Sequence, residues 1–153
     1  MGTEIRIRDV PEKKPGESMK YYRPLSLASA VVFLVVGFLF LLIPGDVLAF
    51  FNRISKAWGM KPAAVVEVPG LYLALTVGYM YLVAFLALLM YRHPEKWIFP
   101  FLLAQAKGAS SLLSLVMFIL REPAFILLAN FGVDALIAVA AFVYYVKIKR
   151  LNP

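Results

Sequence analysis

Four uninterrupted apolar runs, Pro24–Ile43, Gly70–Tyr91, Phe99–Leu120 and Ala124–Val146, constrain this chain more than anything else in it. Each approaches or exceeds the roughly 20 residues that cross a hydrocarbon core at about 1.5 Å of rise per residue. Backbone groups in lipid must be paired within the segment, and the runs lack the apolar–polar alternation of barrel strands. They are therefore expected to be helices. With 62% of the 153 residues hydrophobic, the chain exceeds the apolar share of a soluble domain. The expected class is all-α integral membrane.

The links fix the arrangement. Arg92 to Trp97 joins the second and third runs, and Arg121-Glu122-Pro123 joins the third and fourth. Links this short place successive helices side by side and antiparallel. Between runs one and two lies a longer connection, Pro44–Pro69, whose Pro44-Gly45-Asp46 turn offers Asp46 as an N-cap. Beyond it Val47, Leu48, Phe50, Phe51, Ile54 and Trp58 form an apolar face opposite Asn52, Arg53 and Lys56. That pattern predicts a short amphipathic helix lying in the membrane interface. The whole reads as an antiparallel four-transmembrane-helix bundle. Residues 1–23 form a basic tail, 24–147 the membrane domain and 148–153 a short C-terminus. Within the tail, Thr3–Val10 alternates well enough for a short strand, although a basic tail without fixed structure is the simpler expectation.

Eleven lysines and arginines fall on one side of the spans: Arg6, Arg8, Lys13, Lys14, Lys20, Arg23, Arg92, Lys96, Lys147, Lys149 and Arg150. Arg53, Lys56, Lys61 and Arg121 make four on the other. The positive-inside rule then expects both termini in the cytoplasm and the protein in the cytoplasmic membrane, with the first span an uncleaved anchor. Arg6 stands where N-myristoylation needs Ser or Thr. The formal charge of +7 is read as topology and attraction to anionic headgroups, with no nucleic-acid partner implied.

Two charges break the apolar pattern. Lys107 lies in the middle of the third run and Asp134 in the middle of the fourth. Each costs about 2.5–3.5 kcal/mol at a helix centre by insertion scales, so a chain keeps such a residue for a reason. Ala104, Lys107, Ser111, Ser114 and Phe118 share a helical stripe, with Ser110 beside it. Asn130, Asp134, Ala138, Ala141 and Tyr145 form the matching stripe on the fourth run. Small and hydroxyl residues allow close helix approach, and Gly108 and Gly132 fit the same packing. Counted from the short link, the two charges differ in depth by about one helical turn, and antiparallel side chains lean apart. A direct ion pair and a bridged gap both remain open. A closed pair with Ser110 or Ser111 filling the remaining valences predicts a structural lock, whereas a gap predicts a ligand. From the second run, Thr76 and Tyr79 are candidates for helix–helix hydrogen bonds or for the same ligand, and Gln105 points away from the Lys107 stripe.

The residues call for no cofactor and no metal. There is no cysteine, and His93 is the only histidine, which excludes thiolate sites and a bis-histidine haem within one chain. His93 reads as an interface residue. No nucleophile elbow or phosphate loop is present.

Pro44 at the end of the first span, Gly78-Tyr79 in the second, His93-Pro94 in the link, Lys107 in the third and Asp134 in the fourth together resemble a broad class of small DoxX-like membrane proteins. The resemblance spans roughly Pro24–Tyr145. It implies a four-helix cytoplasmic-membrane protein, some of whose relatives are subunits of quinol oxidases. The acidic and histidine residues of the sterol isomerases of the related EXPERA fold have no match here.

Small size, a basic tail and tightly packing faces lead to the first functional expectation: a non-catalytic accessory or scaffold subunit of a larger membrane complex, with other membrane subunits or a second copy as partner. The alternative is a lipid- or quinone-binding protein or enzyme whose polar pocket comprises Lys107, Asp134, Asn130, Ser110, Ser111, Ser114, Tyr79 and Thr76. An ion or proton carrier ranks last, because no acidic chain leads to the pair from either face.

Overall fold

The computed structural model of the protein describes residues 22–63, 70–121 and 123–151. These fold into five helices: α1 (Tyr22–Leu42), α2 (Pro44–Ala57), α3 (Gly70–Arg92), α4 (Ile98–Leu120) and α5 (Phe125–Leu151). Among the described residues there is no strand, and α1, α3, α4 and α5 are each long and apolar enough to cross a membrane. The expected bundle is what forms. The proposed strand at Thr3–Val10 lies outside the described residues.

Helix ends move by a few residues from the hydropathy boundaries. α1 begins at Tyr22, so Tyr22 and Arg23 belong to the helix and not to the tail. α5 continues through Lys147, Lys149 and Arg150 to Leu151. No proline or glycine interrupts α5 after Gly132, and basic residues in a last turn are favoured by the partial negative charge there. α2 also departs from expectation at its start. Pro44 occupies the first helical position, where its fixed φ and missing N–H cost nothing, and Ile43 precedes it without a side-chain cap. Asp46 consequently sits inside the first turn and does not cap the helix.

α2 ends in a Schellman closure. The N–H of Met60 donates to Ser55 O at 2.8 Å and that of Gly59 to Lys56 O at 3.1 Å. Gly59 supplies the positive φ of 67° that this closure requires. The chain is then turned back by Asn52, whose side chain donates to Ala63 O at 3.1 Å and accepts from Ala63 N at 2.8 Å. Asn52, placed by sequence on the polar face, is a clamp on the following loop.

Contacts show the direction of the pairing. Lys107 meets Asp134, Ser111 meets Phe131 and Ser114 meets Asn130, so α4 and α5 run antiparallel and pack along most of their length. α1 and α3 form the second closely packed pair, with Arg23 near Tyr91 and Gly37 against Met80. A Cβ added at Gly37 would lie 3.2 Å from Met80 Cβ, so this glycine is what lets α1 and α3 approach. Gly108 and Gly132 were expected to serve that purpose in α4 and α5. A Cβ at either would meet nothing within 4 Å, so close packing there rests on the alanines and serines instead.

The two hairpins join through α3 and α4, through α2 against α5, and through a ring contact between α1 and α5. At the end carrying Tyr22, its ring stacks on Tyr144 with centroids 4.4 Å apart, while Tyr144 Oη donates to Pro94 O at 2.8 Å. At the opposite end α2 lies against the start of α5. The N–H of Phe125, one of the donors a helix start leaves unpaired, donates to buried Ser55 Oγ at 3.0 Å. Trp58 and Phe51 contact the Phe125 ring with centroids 5.2 and 6.3 Å away. Neither Ser55 nor Tyr144 is marked in the sequence, because each works through a partner 50 or more positions away.

Candidate functional site: a buried ion pair at the deep end of an apolar cleft

Lys107 is 0% exposed and Asp134 1%. Lys107 Nζ donates to Asp134 Oδ1 at 2.9 Å. Of the two outcomes left open, the direct pair is what forms, with the lysine arm spanning the offset of about one turn counted from the link. Each residue lies nine positions from the start of its helix, about 14 Å, or roughly half of a 30 Å hydrocarbon core. The pair therefore sits near mid-depth.

Lys107 is enclosed on its other sides by aromatic faces. Its Nζ lies 3.9 Å from the Phe33 ring centroid and 5.2 Å from that of Tyr79. A desolvated ammonium gains about 2 kcal/mol or more over an aromatic face, which offsets part of the cost of burial. Phe33 on α1 was missed by sequence reasoning. A phenylalanine in an apolar span carries no mark that distinguishes a cation-binding ring from one facing lipid.

The remaining predicted residues divide into two groups. Tyr79 Oη donates to Ala106 O at 2.9 Å, tying α3 to α4 at the level of the pair. Ser111 Oγ donates to Phe131 O at 3.1 Å, and Asn130 Nδ2 donates to Ser114 Oγ at 2.7 Å and, at 3.4 Å, to Ser110 Oγ. These bonds zip α4 to α5 on the side of the pair toward α2. Thr76 is exposed on α3, where it borders the cleft described below, and its hydroxyl donates to Tyr72 O of its own helix at 2.8 Å, so it joins no helix to another. Gln105 is exposed on α4, on the face away from Lys107, as its helical phase predicts. His93 is partly exposed in its link, 3.7 Å from Glu95.

Neither serine beside the pair completes it. Among the described residues, Asp134 Oδ2 is buried with no hydrogen-bond partner. Such an atom forfeits roughly 1–3 kcal/mol, more when charged, so it stands out in a bundle whose other buried polar side chains are bonded. The outcome thus falls between the two expected for the pair: the bridge is closed, yet one carboxylate oxygen is unmet.

Asp134, Tyr79, Ser110, Ser114 and Asn130 also border a cleft of about 950 Å³. All five helices line it; Asp46 and Thr76 add two further polar side chains, and the rest of its walls are apolar, Val36, Phe40, Val47, Phe51 and Leu127 among them. Along α5 it runs from Ile126 to Ile137, about 16 Å at helical rise, close to the depth of one leaflet. Val32, Leu75 and Val133 on its border are more than half exposed, in segments expected to face hydrocarbon. A smaller cleft of about 250 Å³ lies between α1 and α5 near Tyr22 and Tyr144. Chemically, the larger site can hold an apolar body and meet one polar group at its deep end. Among the described residues there is no cluster of three or more His, Cys, Asp or Glu that could hold a metal ion.

No family model, curated protein or solved structure matches the chain.

Proposed function

We propose that the protein binds a lipid-like molecule within the membrane, in the cleft that ends at Asp134. The observation that carries this reading is the coincidence of a 950 Å³, mostly apolar cleft with a line of polar side chains, Ser114, Asn130, Ser110 and Tyr79, that leads to Asp134. Sites for small molecules have this build: a mostly apolar wall and a few placed polar groups. Binding is favoured over catalysis because Lys107 and Asp134 are engaged with each other, the lysine further enclosed by Phe33 and Tyr79. The DoxX-like pattern of residues is compatible with this reading and names no ligand for it.

Native mass spectrometry of the full chain released from lipid nanodiscs tests the reading. A retained small molecule is expected, and Ala129→Trp, which fills the cleft wall, should displace it. Retention undiminished in Ala129→Trp, or no retained molecule in the unaltered chain, overturns it.

A second reading, the accessory subunit, is favoured by Gln105. A carboxamide exposed on a spanning helix gains from a hydrogen-bonding neighbour, which another helix supplies and lipid tails do not. A photocrosslinker at position 105 in native membranes should then join the chain to a second helix. Adducts to lipid alone would sink this reading. For either role we propose that both termini face the cytoplasm, from the excess of basic residues on that side.

A further inference from the structure

We infer that the molecule in the cleft presents a neutral hydroxyl, alcohol or phenol, as a hydrogen-bond donor to Asp134 Oδ2. The inference rests on the binding reading above and adds the chemistry of the polar group. Lys107 Nζ is directed to Oδ1, and Oδ2 has no partner among the described residues. Tyr79 donates to Ala106 O, Ser111 to Phe131 O and Asn130 to Ser114, while Ser110 and Ser114, which accept from Asn130, make no bond to Oδ2. What Oδ2 lacks is a donor, so a ligand group that only accepts, such as an ether, ester or ketone, leaves it unmet. A carboxylate or phosphate would place like charge beside Asp134.

Depth gives the same answer. The pair lies near mid-membrane, where carrying a full charge costs far more than carrying a hydroxyl that becomes hydrogen-bonded. Oδ2 is covered by its neighbours, so a compact donor reaches it more cheaply than a bulky headgroup. The body of the ligand then extends about 12 Å along the cleft from the level of Asp134 toward α2, between mostly apolar walls.

Three probes with the same hydrocarbon tail separate the possibilities: dodecanol, dodecyl methyl ether and dodecanoate, each radiolabelled. Each is bound to the full chain in nanodiscs, with binding to empty nanodiscs subtracted. Dodecanol is expected to bind about tenfold tighter than the ether, the worth of one hydrogen bond to a charged acceptor, and tighter than dodecanoate. Equal binding of all three, or preference for the ether or the acid, overturns the hydroxyl assignment and leaves the cleft reading standing. Specific binding of none defeats both, with Oδ2 then served by water alone. Removing Asp134 by itself would strand Lys107, so the pair is replaced together as Lys107→Met/Asp134→Leu. In that chain the tail should still bind and the alcohol–ether difference should vanish; a surviving difference assigns the donor's partner elsewhere. The probe series on the unaltered chain decides the inference whether or not the double variant folds.

Discussion

At mid-depth in α4, a lysine is tolerated because four things happen to it at once. It meets a carboxylate at 2.9 Å, rests on the Phe33 ring, approaches the Tyr79 ring, and lies in a segment whose neighbours are small enough to let α5 come close. Breaking a buried pair by removing one partner costs about 3–5 kcal/mol, because the other charge is left without compensation. Replacing both with apolar residues of similar size is often neutral. Lys107→Met and Asp134→Leu alone should therefore each destabilise the bundle by about 3–5 kcal/mol, and the double replacement by much less. Unfolding in mixed micelles as a double-mutant cycle measures this. Additive losses would mean that the pair carries no coupling. Phe33→Leu should remove a smaller amount, about 2 kcal/mol, by taking away the aromatic face and leaving the carboxylate. Much of this site is legible in the sequence: a charge in an apolar run is conspicuous, and helical phase alone groups Lys107 with Ser111 and Ser114 and Asp134 with Asn130. Phe33 is not legible, because its role depends on which ring α1 delivers to Nζ.

Between helices, the informative contacts are single atoms at ends and crossings. Ser55 closes the start of α5 from another helix, which is the capping interaction supplied in trans. Ser55→Ala should cost about 1 kcal/mol and leave the Phe125 N–H without that acceptor, seen as faster amide exchange at the start of α5. Unchanged exchange there would show that water serves this N–H equally well. Gly37 answers the opposite requirement, absence of a side chain. Gly37→Val should force α1 from α3 and cost about 1–3 kcal/mol, with Met80→Ala recovering part of the loss. The amphipathic period of α2 is plain from its residues, but the Asn52 clamp and the Ser55 bond are not. Each requires a partner position that periodicity does not specify.

Taken whole, the molecule is two closely packed antiparallel hairpins with a cleft left between them on the side of α2. Hydropathy marks the four spanning helices, and the charge imbalance is the basis of the proposed orientation. The chain has no cysteine, so single substitutions report orientation cleanly. A cysteine in place of Lys149 should react with an impermeant maleimide only after the cell membrane is opened, and one in place of Lys56 in intact cells. The reverse pattern would invert the proposed topology.

The sequence alone determined the number of spans, their antiparallel order, the interfacial helix and the two charges that mark the bundle interior. It could do so because a bilayer penalises each of these features locally, residue by residue. The sequence could not decide whether Lys107 and Asp134 touch. Only the tertiary structure did, by setting the register of α4 against α5, and it left Oδ2 unpaired beside a cleft. That outcome depends on how five helices fill space together, and volume left unfilled between elements has no signature within any one of them.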